Sequence, residues 1–101
     1  MTADLIVRPL AEADVREAAF WYESKREGLG AEFILELDAP YERLAQNPRQ
    51  FPAIEEGTYR ALLRRFPYAV YFVIGIDTPV IIAVLHQHRK SDAWRVRSEP
   101  R

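Results

Sequence analysis

The chain has 101 residues, a formal net charge of −1 and no cysteine. This length is that of one domain, which we assign to residues 1–101, with one modest core and little room for a deep pocket. The lack of cysteine excludes a disulfide framework and a thiolate metal site, and it suits a cytoplasmic protein. No apolar run approaches the roughly 20 residues of a membrane-spanning helix, and the N-terminus lacks the pattern of a signal peptide. We therefore expect no membrane partner.

Positive charge is concentrated in the second half of the chain. The near-neutral total argues against attraction of the whole molecule to nucleic acid, which depends on clustered cations. Most acidic residues precede Gly57, and an acidic first half with a basic second half can still form one basic face. The basic residues from Tyr59 onward are Arg60, Arg64, Arg65, Arg89, Lys90, Arg95, Arg97 and Arg101.

The first half of the chain predicts a strand followed by two helices. The alternating segment "DLIVRP" is typical of a short strand, and Pro9 fits the first turn of the helix that follows. The segment "EGLG" ends this helix, since glycine is the usual stop. A second helix starts near Leu29, is kinked by Pro40 and ends at "QNPRQFP". Because the break between the helices is short, they should pack as an antiparallel hairpin.

Three strands follow, and together with the helices they predict an α+β fold. The strands are "TYRALLRRF", "YAVYFVIGI" and "VIIAVLHQHR", and the second is rich in β-branched and aromatic residues. Their short connections favour an antiparallel meander, with one face covered by the helical hairpin. The tail "KSDAWRVRSEPR" is polar and is expected to fray, although Trp94 offers an apolar anchor.

Arginines bracket the predicted meander. Side chains alternate along a strand, so Arg60 and Arg64 should share the face turned away from the helices. Arg64 ends the first of the three strands and Arg89 ends the third, and these outer strands run parallel to each other in a meander. We therefore expect Arg64 and Arg89 to meet at one edge of the sheet. Three further side chains should lie nearby: His86, His88 and Trp94.

Simpler interpretations remain open for each of these side chains. Arginines at strand ends are often solvated. His86 and His88 could bind a metal or transfer a proton, but no third ligand lies close in sequence and no nucleophile or carboxylate partner is evident. Trp94 is more often a packing anchor than a platform for a base. Since the sequence has no Walker, Rossmann or zinc-peptidase motif, we predict no metal and no cofactor.

The order of elements and three segments resemble the RelE/ParE superfamily of bacterial toxins. The segments are "NPRQFP" after the second helix, "YRALLRRFPYAVYF" and "VLHQHRKSDAWRVR". The resemblance spans nearly the whole chain and implies a β-α-α-β-β-β order, with an antiparallel helical hairpin and a three-stranded antiparallel meander. It also implies the toxin component of a type II toxin–antitoxin (plasmid stabilisation) system, which a cognate antitoxin wraps and neutralises.

Two activities occur among the toxins that this chain resembles. ParE-like members poison DNA gyrase, whereas RelE-like members cleave messenger RNA on the ribosome with cations and a C-terminal tyrosine or histidine. In the second case Arg60, Arg64 and Arg89 would stabilise negative charge on the phosphate. His86 or His88 would then move the proton.

Trp94 stands where many ribonuclease members of the superfamily have a tyrosine. An indole transfers no proton at neutral pH, which favours a ParE-like toxin that binds a protein target such as DNA gyrase. A ribosome-dependent ribonuclease is the alternative, and a non-toxic binding module with the same fold is the third interpretation. Both a dimer and a toxin–antitoxin hetero-oligomer stay open. The residues expected to contact a target are Arg65, Lys90, Trp94 and Arg95.

Overall fold

The computed structural model describes residues 5–55, 57–76, 78–88 and 92–98. In order along the chain, its elements are β1 (Ile6–Val7), α1 (Pro9–Lys25), α2 (Leu29–Glu36), α3 (Asp38–Gln46), a 3-10 turn (Pro48–Gln50), β2 (Ala53–Glu55), β3 (Thr58–Leu62), β4 (Tyr68–Ile74), β5 (Pro79–His86) and α4 (Ala93–Ser98). The strands form one sheet in the order β1-β5-β4-β3-β2, with β1 parallel to β5 and the other pairs antiparallel. The predicted order of strand, helical hairpin and antiparallel meander is confirmed. Within the described ranges, no helix is both long enough and apolar enough to cross a bilayer.

The first two helices form the hairpin that the glycine-containing break predicts. Gly28 between them has a φ of 89°, a left-handed conformation that glycine adopts without strain. The Glu23 carboxylate on α1 accepts hydrogen bonds from the backbone N–H groups of Gly28 (2.9 Å) and Gly30 (3.0 Å), and so caps the start of α2. These bonds lower the pKa of Glu23, because they stabilise its charged form.

Pro40 divides the second predicted helix into α2 and α3. Proline has no N–H to donate to the carbonyl of Glu36, and its ring crowds that carbonyl. Accordingly α2 ends at Glu36, and α3 begins at Asp38 after a turn at Leu37. The Leu37 side chain at this break is buried, so the residue between α2 and α3 still packs in the core.

The helices cover one face of the sheet, called here the helix face. Alternate residues of the strands point to it, where they join apolar side chains of α1, α2 and α3 in one core. The pairing of β4 with β5 contains a bulge, since Tyr71 lies opposite Ala83 while Phe72 lies opposite Ile81. Fully buried members of this core include Phe33, Leu44, Val70, Phe72 and Ile81.

The second face of the sheet carries a smaller apolar cluster, to which α4 contributes. Trp94 is only 5% exposed, and its ring stacks on that of Tyr71 with centroids 5.6 Å apart. Of the two outcomes considered for the tail, fraying and docking through Trp94, residues 93–98 show docking. Burial of one large aromatic ring is worth about 2 to 3 kcal/mol and favours the docking of this short segment against the sheet.

The strands also differ from the sequence prediction at the end of β3 and in the presence of β2. β3 ends at Leu62 rather than at Phe66, because bends at residues 64–67 lead directly into β4. β2 is an additional edge strand that the sequence did not predict. It has only three residues with partial or high exposure, which is too short for an alternating pattern to show.

Candidate functional site

The structure places Arg60 and His86 on opposite faces of the sheet. Arg60 lies opposite Tyr71 in the register of β3 with β4, on the face that carries Trp94. His86 lies opposite Tyr68, and the two rings are in edge contact at 5.3 Å on the helix face. His86 is therefore separated by the sheet from Trp94, near which it was expected, and also from Arg60. The alternation of side chains along β3 and β5 separates them.

The two predicted histidines do lie together. The backbone N–H of His88 donates a hydrogen bond to Nδ1 of His86 at 3.0 Å, and the ring centroids are 5.9 Å apart. This bond makes Nδ1 of His86 an acceptor and fixes the orientation of the ring. Among the described residues, His, Asp and Glu side chains form no group of three or more that could hold a metal ion.

Arg64 is exposed in the loop between β3 and β4. It borders a shallow groove together with Arg43 and Leu62. Arg89 and Lys90 lie outside the described residues, so the meeting of Arg64 with Arg89 at one edge of the sheet stays a prediction.

Two of the predicted target-contact residues, Arg65 and Arg95, form internal ion pairs. Arg65 Nη2 lies 2.7 Å from Glu32 Oε1, which joins the loop after β3 to α2. This hydrogen bond lowers the pKa of Glu32 and raises that of Arg65, because each group stabilises the charge of the other. Arg95 contacts Glu55 at 3.0 Å and Asp92 at 2.9 Å. Both arginine side chains remain more than half exposed, so a partner can still reach them.

Trp94 has a structural role in the described fold. Its ring contacts Tyr71 and also lies 4.9 Å from the guanidinium carbon of Arg95. Because the Trp94 ring is buried, it acts as the packing anchor that the sequence analysis considered, and it is not exposed for stacking on a nucleic acid base. The low exposure also leaves little of the ring for contact with a target.

A groove lies between α1 and the C-terminal half of β5, and we call it the helix–strand groove. It has a volume of about 290 Å³. Trp21 stands at its border with 45% of its surface exposed, and the exposed carboxylate of Glu17 gives it an acidic border. Its lining consists of Asp14, Glu17, Ala18, Trp21, Tyr68, Val84, Leu85 and His86.

The helix–strand groove runs beside a strand edge that β1 covers only in part. β1 pairs with β5 at Val80 and Ile81 and goes no further. Beyond that point Asp14 accepts a hydrogen bond from the Val84 N–H at 3.0 Å, and Arg97 donates one to the Ile82 carbonyl at 3.1 Å. Side chains thus take the place of a neighbouring strand along this edge.

Sequence reasoning missed Asp14 and Arg97 as paired residues. The available signal was the position of Asp14 between Ala11 and Ala18, at helical spacing on the apolar face of α1. An acid on such a face requires a partner when it is buried. Nothing in the sequence pointed to Arg97 as that partner.

Comparison with known proteins identifies the family. Residues 5–91 match the family described as the ParE toxin of the type II toxin–antitoxin system, parDE. A solved structure titled "Chromosomal ParDE TA system from P. aeruginosa" is similar in fold, with a TM-score of 0.72 and 18% identity over 84% of this chain and 96% of that one. Among curated proteins, none matches significantly. The family match covers most of the chain, and the protein therefore belongs to the ParE toxin family of type II toxin–antitoxin systems.

Proposed function

We propose that this ParE-family toxin acts by binding a protein target, DNA gyrase, and that its cognate antitoxin neutralises it by occupying the helix–strand groove. The observation that carries the antitoxin site is an apolar, acid-bordered groove between α1 and the C-terminal half of β5. Such a site suits an amphipathic helix, since Asp14 and Arg97 already occupy the strand edge beside it. Glu17 at its border favours a partner segment that carries basic residues.

Arguments from geometry support protein binding over ribonuclease chemistry. Acid–base cleavage of RNA requires cations and a proton-transfer group around one phosphate, within hydrogen-bond reach of the reacting atoms. Arg60 and His86 lie on opposite faces of the sheet, and Trp94 is buried where a proton-transfer tyrosine would stand. A toxin that binds gyrase needs no such convergence.

Controlled expression in a bacterial host tests the proposed target. Plasmid supercoiling and the integrity of messenger RNA are followed together after induction. We expect altered supercoiling with intact messages. Cleaved messages with normal supercoiling would support the ribonuclease instead, and normal growth with neither change would support a non-toxic binding module.

A pair of aromatic variants tests the antitoxin site. Trp21→Ala removes an exposed aromatic side chain at the groove, and aromatic anchors of this kind often carry 2 kcal/mol or more of binding energy. We expect antitoxin affinity to fall by roughly thirtyfold. Phe20→Ala is the matched control, because Phe20 is 79% exposed on the same helix and does not line the groove. Equal effects of the two substitutions would place the antitoxin elsewhere.

A further inference from the structure

We propose that a second groove, which shares no lining residue with the helix–strand groove, binds an acidic, leucine-anchored segment of the toxin's protein target. We call it the arginine groove and define it by Leu35, Glu36, Pro40, Arg43, Leu62 and Arg64. It lies between the α2–α3 break and the end of β3. The inference rests on the proposed function, since it names the surface through which that function reaches its target.

The arginine groove borders a free strand edge. β2 pairs with β3 only at Thr58 and Tyr59, and the last bond on this side runs from the Arg60 N–H to the Pro52 carbonyl at 3.2 Å. The next residue toward β4, Leu63, donates its N–H to the Tyr68 carbonyl at 3.0 Å. Because amide directions alternate along a strand, the backbone groups of Leu62 point away from β4, and no hydrogen bond to them is found among the described residues. An added segment can pair there.

Apolar side chains beside this edge are left uncovered. Leu35 is 66% exposed on α2, and Leu62 is 51% exposed at the end of β3, with its side chain on the face of the sheet that carries Arg60. The groove has a volume of about 360 Å³, which is room for apolar side chains of a partner segment. A partner segment should therefore bring apolar anchors.

The charge of the groove selects an acidic partner. Arg43 and Arg64 are both exposed, and neither forms an ion pair with any described carboxylate, although the Arg43 guanidinium lies 5.8 Å over the Phe51 ring. Other arginines of the fold, including Arg65 and Arg97, have acidic partners. The one carboxylate in the lining, Glu36, already accepts the Arg65 backbone N–H at 3.4 Å. Two arginines against one carboxylate leave an excess of positive charge in the lining for a partner to neutralise.

The two grooves differ in sign and so suit different partners. The helix–strand groove carries Glu17 at its border, whereas the arginine groove carries Arg43 and Arg64. Charge complementarity directs each partner to one groove and repels it from the other. Two exposed leucines and a free backbone edge favour a peptide over a nucleic acid in the arginine groove, since nucleic acid binding depends on phosphate contacts and base stacking.

Charge reversal tests the arginine groove. Arg64→Glu and Arg43→Glu are compared with Arg16→Glu, a matched reversal on the exposed side of α1. Each variant is checked for folding by circular dichroism and for equal expression. Growth inhibition, antitoxin affinity and message integrity are then measured in parallel. We expect the first two variants to need roughly tenfold more protein for equal growth inhibition, with antitoxin affinity and messages unchanged, while Arg16→Glu behaves as wild type.

Four outcomes would overturn this inference. Full toxicity of both groove variants would show that the arginine groove does not bind the target, without contradicting the proposed function. Loss of antitoxin affinity along with toxicity would assign the groove to the antitoxin. Message cleavage by the wild type that the reversals abolish would assign it to nucleic acid. If the wild-type protein does not inhibit growth, both the proposed function and this inference are wrong. That failure is distinguished from failure of the inference alone because it is seen in the wild type, without any variant.

Discussion

The Asp14 carboxylate and the Arg97 guanidinium form a bidentate ion pair that joins α1 to α4 across 83 positions of the chain. Nη1 lies 2.6 Å from Oδ2, and Nη2 lies 3.3 Å from Oδ1. The two side chains are only 12% and 18% exposed. Since Asp14 also binds the Val84 N–H and Arg97 binds the Ile82 carbonyl, the pair both closes the edge of β5 and holds α4 in place.

Removal of this pair should destabilise the fold strongly. Arg97→Met leaves Asp14 mostly buried without its charge partner, and we expect a loss of about 3 kcal/mol in the free energy of unfolding. Arg95→Met on the same helix is the matched control, because its ion pairs are about half exposed and exposed ion pairs contribute little to stability. Urea denaturation measures both. Similar losses for the two variants would show that Asp14 and Arg97 contribute no more than a surface pair.

Truncation of Trp94 should release α4 from the sheet. Trp94→Ala removes the buried ring stacked on Tyr71, and large aromatic truncations cost about 3 to 5 kcal/mol in a core. Because α4 has only six residues, we expect the lower end of that range. Val96→Ala serves as the control, since Val96 is 76% exposed on the same helix. In the wild type, iodide should quench the fluorescence of Trp21 and leave that of Trp94 largely intact. Strong quenching of Trp94 would contradict its burial.

Gly30 should be intolerant of alanine despite its helical position. Alanine normally stabilises a helix over glycine by about 1 kcal/mol. A Cβ on Gly30 would lie only 2.6 Å from the Ala19 carbonyl oxygen on α1, so the two helices must move apart. We expect Gly30→Ala to destabilise by about 1 to 3 kcal/mol. Ala31→Gly is the control. Because Ala31 is exposed on the same helix, the change in unfolding free energy of this variant measures the difference in helix propensity alone. A more stable Gly30→Ala protein would mean that α1 and α2 separate easily.

Acid should weaken the fold through Glu23 and Glu32. Both carboxyl groups have a lowered pKa in the folded protein, from the backbone N–H groups of Gly28 and Gly30 and from Arg65 respectively. Their stabilisation is therefore present above the ordinary glutamate pKa of about 4.3 and is lost as pH falls through the lowered values. Urea titrations at neutral pH and at successive acidic values measure this loss.

Glu23→Gln should reduce the pH dependence, since glutamine cannot gain a proton in this range. Glu27→Gln is the control for a neighbouring exposed carboxylate that forms no described hydrogen bond. An unchanged slope of unfolding free energy against pH in Glu23→Gln would exclude Glu23 as a contributor.

Toxicity should survive the loss of His86. His86 contacts Tyr68 on the helix face, away from Arg60, so it does not complete a phosphate site with that arginine. We expect His86→Ala to inhibit growth as the wild type does and to leave messages intact. A fall of several orders of magnitude in message cleavage would instead identify a nuclease.

Local sequence signals determined the main helices and strands and their order, although not the short elements β2 and α4. Pro9, Gly28 and Pro40 act through their own backbone chemistry, so the start of α1, the hairpin break and the division of the second helix could be predicted from the chain alone. The apolar run around Val70 and Phe72 likewise predicted the central strand. The motifs of the later strands predicted the family, which the comparison confirms.

Only the tertiary structure decided which side chains share a site. His86 was expected near Trp94, yet the two lie on opposite faces of the sheet, and the register of β3, β4 and β5 likewise separates His86 from Arg60. The pairing of Asp14 with Arg97 and the stacking of Trp94 on Tyr71 were equally hidden, because each joins residues far apart in the chain. Propensity is local, whereas register and burial depend on the packing of distant segments, and for this reason the sequence predicted the strands but not the faces on which their charges meet.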